Sequence, residues 1–301
     1  MAGTYGEVSA HLTSQTALMP TLNAWEMFLN DQGRSPHTIK AFLSDIHLLA
    51  NYLPPDRNLG SITTNDLNKF LVWLEKERGI PCSPKSLARR ITSLKSFFRW
   101  LQKGGAINID PAEKVLQHSV LSPLPEVLTV EEIDSILVAA DNHRRSSKPD
   151  ARSYTLLALL LETGIKKSEC LGIHLNHIDL DSSEGSYVFI RYASPANRYK
   201  ERKIKLSGDW LEAYQEYIQQ YKPVDQLFPW SPRRLEYLLE DIGKEANLSK
   251  HLSFDMCRWT SSLIDIMNGI EPEKIRQKLG ISKIQWREIN SKLRKLSGNE
   301  V

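Results

Sequence analysis

Between Thr21 and Lys103, apolar residues recur three and four positions apart in four runs, each bounded by helix start and stop signals. The first run places Leu22, Trp25, Met27, Phe28 and Leu29 at helical spacing and stops at Gly33. The second opens with Ser35 as N-cap and Pro36 at the first helical position, and puts Ile39, Phe42, Leu43, Ile46, Leu49 and Leu53 on one face. "TTNDLNKFLVWLEKERG" repeats the scheme up to Gly79. The fourth begins near Ser83 and Pro84 and carries Leu87, Ile91, Leu94, Phe98 and Leu101 before Gly104 and Gly105 break it. Four helices with short joins predict a compact all-α domain over residues 21–108. The twenty residues before it lack periodicity and end at Pro20, which predicts a loosely held arm over 1–20.

Periodicity fades again over residues 109–125, where Pro111, Pro123 and Pro125 predict an interdomain linker. "LTVEEIDSIL" restarts it with Thr129 and Glu132 spaced as a capping box, so a second domain is expected over 126–301. A helix through Tyr154 to Glu162, a turn at Gly164 and a helix from about Lys167 follow. The pattern then switches to two β-rich runs, Ser186–Ala193 and Arg202–Leu206, joined by a loop containing Pro195, which predicts a hairpin. Beyond Gly208 the chain reads as helical to its end. The fold class expected is mainly α with a small antiparallel sheet.

Composition narrows the class without choosing the chemistry. The 301 residues are 41% apolar, enough for two cores. The longest apolar run, Leu156–Leu161, falls far short of the ~20 residues of a membrane helix, and the N-terminus lacks the pattern of a secretory signal. No membrane partner and a cytoplasmic location are expected. Cys82, Cys170 and Cys257 lie far apart, as expected of reduced, buried thiols, and His174 and His177 have no ligand pair at zinc spacing. Neither a metal nor a cofactor is expected. Net charge is only +3, so the placement of charge matters more than its sum. On the fourth helix Lys85, Arg89, Arg99 and Lys103 fall within roughly an 80° arc opposite the core stripe, with Lys95 beside them and no acid in the run. A stripe of one sign predicts contact with a phosphate backbone.

Several short motifs, in this order, resemble the tyrosine recombinase (phage integrase, Xer-like) family. "SPHTIKAFLSDIHLLANYL" and "SLARRITSLKSFFRWL" are similar to helices of its SAM-like core-binding domain, and "LTVEEIDSIL" to the entry into its catalytic domain. "TGIKKSECLGIHLNHIDLD" resembles the first catalytic box, and "YKERKIKL" the strand following the hairpin lysine. The resemblance implies a four-helix DNA-binding domain, a catalytic-like domain and double-stranded DNA as partner. In the family, two arginines clamp the scissile phosphate, a hairpin lysine protonates the leaving oxygen, histidines assist and a tyrosine attacks. These choices follow from in-line displacement at phosphate, which needs fixed cations, a nucleophile and an acid.

Carried over position by position, the resemblance implies a disarmed site. The first arginine falls on Lys166, which lacks the two-pronged grip of a guanidinium, and the hairpin lysine falls on Asn197. "FDMCR" occupies the histidine–arginine box, with Phe254 for the histidine, Cys257 for the second arginine and Arg258 adjacent to it. The Leu-Gly-His turn reads Leu279, Gly280, Ile281, and the nucleophile position is Asn290. One argument needs no alignment: no tyrosine follows Tyr237 and no histidine follows His251. No catalytic residue is therefore expected in this chain.

Three functions compete. The first is an inert DNA-binding relative that contacts the backbone through Arg34, Lys40, Lys85, Arg89, Lys95, Arg99, Lys103, Lys166, Lys200, Arg202 and Arg258. The second is an active recombinase with unorthodox residues, Ser282 or Ser291 as nucleophile, or a tyrosine donated in trans. The third is an accessory or regulatory subunit that assembles with itself or with an active recombinase, using "EINSKLRKLSGNEV" as an arm that docks on a neighbouring subunit, with the protein expected at the nucleoid.

Overall fold

The computed structural model describes residues 12–55, 57–116, 123–180, 182–183 and 185–298. The chain divides into two compact units, Met1–Ser122 and Pro123–Val301.

The first unit holds α1 (Thr21–Asp31), α2 (Pro36–Tyr52), α3 (Thr64–Val72) and α4 (Pro84–Lys103). Ser35 and Ser83 cap α2 and α4, accepting the Thr38 and Ser86 amides, and each is followed by proline. Thr63 and Asp66 form a capping box at α3. The apolar stripes close on one core that includes Trp25, Ile46, Leu49, Leu67, Phe70, Leu94 and Phe98. Trp25 anchors it, stacking on Phe28 at 5.4 Å and meeting Phe97 edge-on at 5.5 Å.

Two segments differ from expectation. The arm predicted over 1–20 is held along residues 12–20. Ser14 and Thr16 carbonyls accept the Gly60 and Leu59 amides at 2.8 and 2.9 Å, and Leu18 is buried. A short 3-10 turn, Leu59–Ser61, leaves amides that need acceptors, and the arm supplies them. A Cβ on Gly60 would lie 2.7 Å from that of Ser14, so glycine permits the approach. Residues 1–11 lie outside the described residues. Within the expected linker, Ala112 and Val115 are buried in this unit's core and Thr64 donates to the Pro111 carbonyl at 2.8 Å; residues 117–122 lie outside the described residues.

The second unit contains α5 (Val130–Arg144), α6 (Arg152–Thr163), α7 (Lys167–Leu171), α8 (Gly208–Tyr221), α9 (Pro232–Glu245), α10 (Phe254–Met267), α11 (Pro272–Lys278) and α12 (Lys283–Leu296). Its sheet is antiparallel in the order β1 (Ile178–Asp179), β2 (Tyr187–Ile190), β3 (Arg202–Lys205), with Val188 opposite Ile204. The hairpin matches β2 and β3, whereas the two-residue β1 is too short for alternation to reveal. Leu156, Leu157, Leu159 and Leu160 of α6 are all fully buried, which makes this helix the axis of the unit. The helix expected from Lys167 lasts five residues. Trp286 and Leu293 of α12 pack with Leu263, Ile275, Leu279 and Ile281, so the segment expected to be a docking arm covers its own unit. Residues 299–301 of that segment lie outside the described residues. Cys170 and Cys257 are buried as expected, but Cys82 is half-buried and accepts from Arg90 at 2.7 Å. Among the described residues no helix is long and apolar enough to cross a membrane.

The second unit's entry is secured by its capping box. The Thr129 hydroxyl accepts the Glu132 amide at 3.2 Å, and the Glu132 carboxylate accepts the Thr129 amide at 2.8 Å. Replacing Thr129 by alanine is expected to lower stability by about 1 kcal/mol. The fall should register as a lower denaturant midpoint with unchanged slope in urea unfolding.

Candidate nucleic-acid interface

The turn after α6 sets the first side chain of the candidate site. Gly164 adopts φ 59°, and a Cβ there would press on Ser261 Oγ at 3.2 Å, so glycine is suited both to the left-handed turn and to the close approach of α10. Lys166 then stands at the N-terminus of α7, its amide donating to the Glu169 carboxylate at 2.8 Å. Burial lowers the affinity of the Lys166 ammonium for its proton; Glu169 opposes this, while Arg258, Lys200 and Arg202 reinforce it. These side chains come from α7, the β2–β3 loop, β3 and α10, gathered around one turn.

Glu169 is the centre of this network. Arg202 donates to both its oxygens, at 3.1 and 2.9 Å, and the Tyr192 hydroxyl donates to one of them. Burial alone would raise the carboxyl, but the Arg202 bonds and charge, the Lys166 amide and Tyr192 hold it down at about 2. Burial and the bond to Glu169 push the Tyr192 hydroxyl up to about 12. Arg202 also donates through Nε to the Lys278 carbonyl, and Arg258 donates to the Gly164 and Leu279 carbonyls. Burial draws the Arg258 guanidinium down to about 10, so it remains charged at neutral pH. Gly280 rests against Arg202: a Cβ there would fall 2.5 Å from its Nη1.

Arg202 and Arg258, expected from sequence to face a phosphate backbone, are thus held internally. The Arg202 side chain is 9% exposed and Arg258 is 9% exposed as a residue, each with hydrogen-bond partners inside the unit. Lys166 and Lys200 remain half-buried, and Lys200 donates to Asn197 Oδ1 at 2.8 Å. Phe254, Cys257 and Ile281 are buried in the apolar cores, and burial pushes the Cys257 thiol up to about 12. Phe254 also lines a separate cavity of ≈ 610 Å³ with Lys167, Arg233, Tyr237 and His251. On α12, Asn290 Oδ1 is buried without a hydrogen-bond partner. Ser282 caps α12, accepting the Gln285 amide at 3.3 Å, and Ser291 is exposed on the same helix. Among the described residues no group of three or more histidine, cysteine or acidic side chains could hold a metal ion.

Sequence reasoning missed Glu169 and Tyr192. An acid three residues after the Lys166 cap position was a visible signal for Glu169, because that spacing lets the carboxylate accept the cap amide. Nothing local marked Tyr192, which reaches Glu169 only through the fold. Chemically, the arrangement offers two partly exposed ammonium groups for an anion. It offers no activated nucleophile: Glu169, held near 2, cannot take the Tyr192 proton.

In the first unit, Arg34, Lys95, Arg99 and Lys103 surround one depression of ≈ 370 Å³ floored by Phe28 and Trp100. Lys40 on α2 and Lys85 on α4 are exposed. Arg89 differs from the stripe read in sequence, because Asp45 of α2 supplies the acid that α4 lacks. Both Arg89 terminal nitrogens donate to that carboxylate.

Two family models match the chain: "Phage integrase, N-terminal SAM-like domain" over residues 22–105 and "Phage integrase family" over residues 126–289. A curated relative, tyrosine recombinase XerD of Listeria innocua, is 24% identical over 295 residues, covering 90% of this chain and 93% of the relative. Among solved structures, a lambda integrase dimer bound to a COC' core site superposes with a TM-score of 0.70 at 18% identity, covering 91% of this chain and 77% of that one. XerH site-specific recombinase bound to its difH substrate gives 0.68 at 17% identity, covering 94% and 83%.

Proposed function

This chain belongs to the phage integrase family, and from that premise we propose that it binds duplex DNA without cutting it, as an accessory or regulatory factor in recombination. The observation that carries the reading is chemical. At positions where the family resemblance calls for histidine, arginine and histidine, this chain has Phe254, Cys257 and Ile281, all buried in apolar cores. A phosphate cannot be clamped by two apolar side chains and a buried, protonated thiol. The tyrosine near Lys166, Tyr192, keeps its proton in a bond to Glu169.

DNA binding is supported by the cations that remain. Arg34, Lys95, Arg99 and Lys103 share one depression, with Lys40 exposed on α2 and Lys85 exposed near the start of α4. Lys166 and Lys200 form a second positive spot on the other unit. The solved relatives bound to DNA, one of them a dimer, support duplex DNA as partner and assembly with a second copy, and an active recombinase is the other partner proposed. On this reading the protein acts at the nucleoid, in the cytoplasm. A second reading, strand transfer with a tyrosine donated in trans, draws on the Lys166 and Lys200 pair alone. It lacks both arginine clamps.

Titration of a labelled duplex at several salt concentrations tests the binding. Affinity is expected to fall steeply as salt rises, and the triple variant K95E/R99E/K103E should lower the log–log slope by about 3, one unit for each cation removed from the backbone. An affinity flat in salt, or no binding to any duplex, would refute the reading.

A further inference from the structure

We propose that Arg89 reads a guanine base edge, held in place for that purpose by Asp45, while the other cations of α4 only anchor the phosphate backbone. The inference rests on the DNA-binding reading above and deepens it. Arg89 is set apart by how its donors are used. A guanidinium carries five N–H groups. One of Nη1 goes to an Asp45 oxygen, the other to the Ala41 carbonyl at 3.3 Å, and one of Nη2 goes to the second Asp45 oxygen at 2.9 Å. The remaining pair, on Nε and Nη2, lies along a single edge of the plane. The Arg89 side chain is 42% exposed, against 4% for Asp45. Two parallel donors match the O6 and N7 acceptors that guanine presents in the major groove.

The same edge could grip a phosphate, and charge decides against it. Asp45 is buried and cannot leave: Ser93 donates to it at 2.7 Å and Arg90 Nε lies 3.6 Å away. Its carboxylate, shared with Arg90, offsets part of the Arg89 charge, and phosphate attraction depends on uncompensated charge. Lys85 is exposed, and Lys95, Arg99 and Lys103 line an open depression with no acidic side chain in its wall, so these four suit that task better. Compensation leaves the geometry of the fork intact and fixes its direction, which favours base reading over phosphate attraction.

The test is selection of bound sequences from a randomised duplex pool, run with the wild-type chain and with R89K, which keeps the charge and loses the fork. The wild type is expected to enrich a motif containing a guanine. R89K should lose the preference at that position and keep the others, with affinity for the selected duplex down by about tenfold to a hundredfold. A second measurement needs no variant. Replacing that guanine by 7-deazaguanine, which removes N7 and leaves every phosphate, should weaken wild-type binding at least about fivefold. An unchanged R89K motif, a motif without guanine, or indifference to 7-deazaguanine would overturn the assignment. Failure of the wild type to bind any duplex would instead overturn the function on which it rests.

Discussion

Replacing Glu169 by alanine is expected to destabilise the second unit by about 3–5 kcal/mol, the cost of leaving a buried charge without its partner. Three groups lose their acceptor at once: the Arg202 guanidinium, the Tyr192 hydroxyl and the Lys166 amide. Because Arg202 ties β3 to the Lys278 carbonyl, the loss reaches the start of the α11–α12 turn as well. The same carboxylate makes stability depend on acid. Its folded value, about 2, lies below the ordinary 4.5, so it contributes fully above about pH 4.5 and loses that contribution as pH falls toward 2. The shift corresponds to about 3 kcal/mol. Urea unfolding at a series of pH values checks both statements. The wild type should weaken between pH 4.5 and 2, and Glu169→Ala should be weaker at pH 7 with a flatter acid dependence over that interval. An alanine variant as stable as the wild type at pH 7 would remove Glu169 from the centre of the network.

The legibility of the fold followed the strength of local signals. Helices α2, α3 and α4 have N-caps written in sequence at Ser35, Thr63 and Ser83, and each starts where that signal placed it, although regular α-helix in α3 stops at Val72 and gives way to a π turn over Trp73–Glu77 before Gly79. Strand β1 and the packing of residues 12–20 depend on partners elsewhere in the chain, Val188 for one and the Leu59–Ser61 turn for the other. No periodicity records such partners. The candidate site shows the same division. The family resemblance, carried over position by position, implied that Lys166, Asn197, Phe254, Cys257, Ile281 and Asn290 are unfit for phosphoryl transfer, and the plasmid measurement below tests that expectation. It did not show that Arg202 and Arg258 spend their donors on Glu169 and on main-chain carbonyls. An isolated arginine in sequence looks available, and only tertiary structure reveals a buried acceptor. Asp45 is the same lesson on α4, because a helix free of acids received one from α2.

The largest effect expected of this chain is a missing reaction. Removing a single donor that stabilises transition-state charge commonly costs a hundredfold to a thousandfold in rate, and on the proposed reading the arginine clamp, the hairpin acid and the terminal tyrosine are all replaced. Tyr192 cannot substitute, since its hydroxyl is held near 12 and its neighbour Glu169 is too weak a base to take the proton. Lys166 and Lys200 can steady a phosphate but bring nothing to attack it. Binding and cleavage should therefore separate completely in the purified protein. The direct measurement is incubation with negatively supercoiled plasmid at a salt concentration where duplex binding is saturated, followed by denaturation and a search for nicked or relaxed DNA and for protein attached through phosphate. The account predicts intact supercoiled plasmid and no adduct; an adduct mapping to any residue of this chain would contradict it.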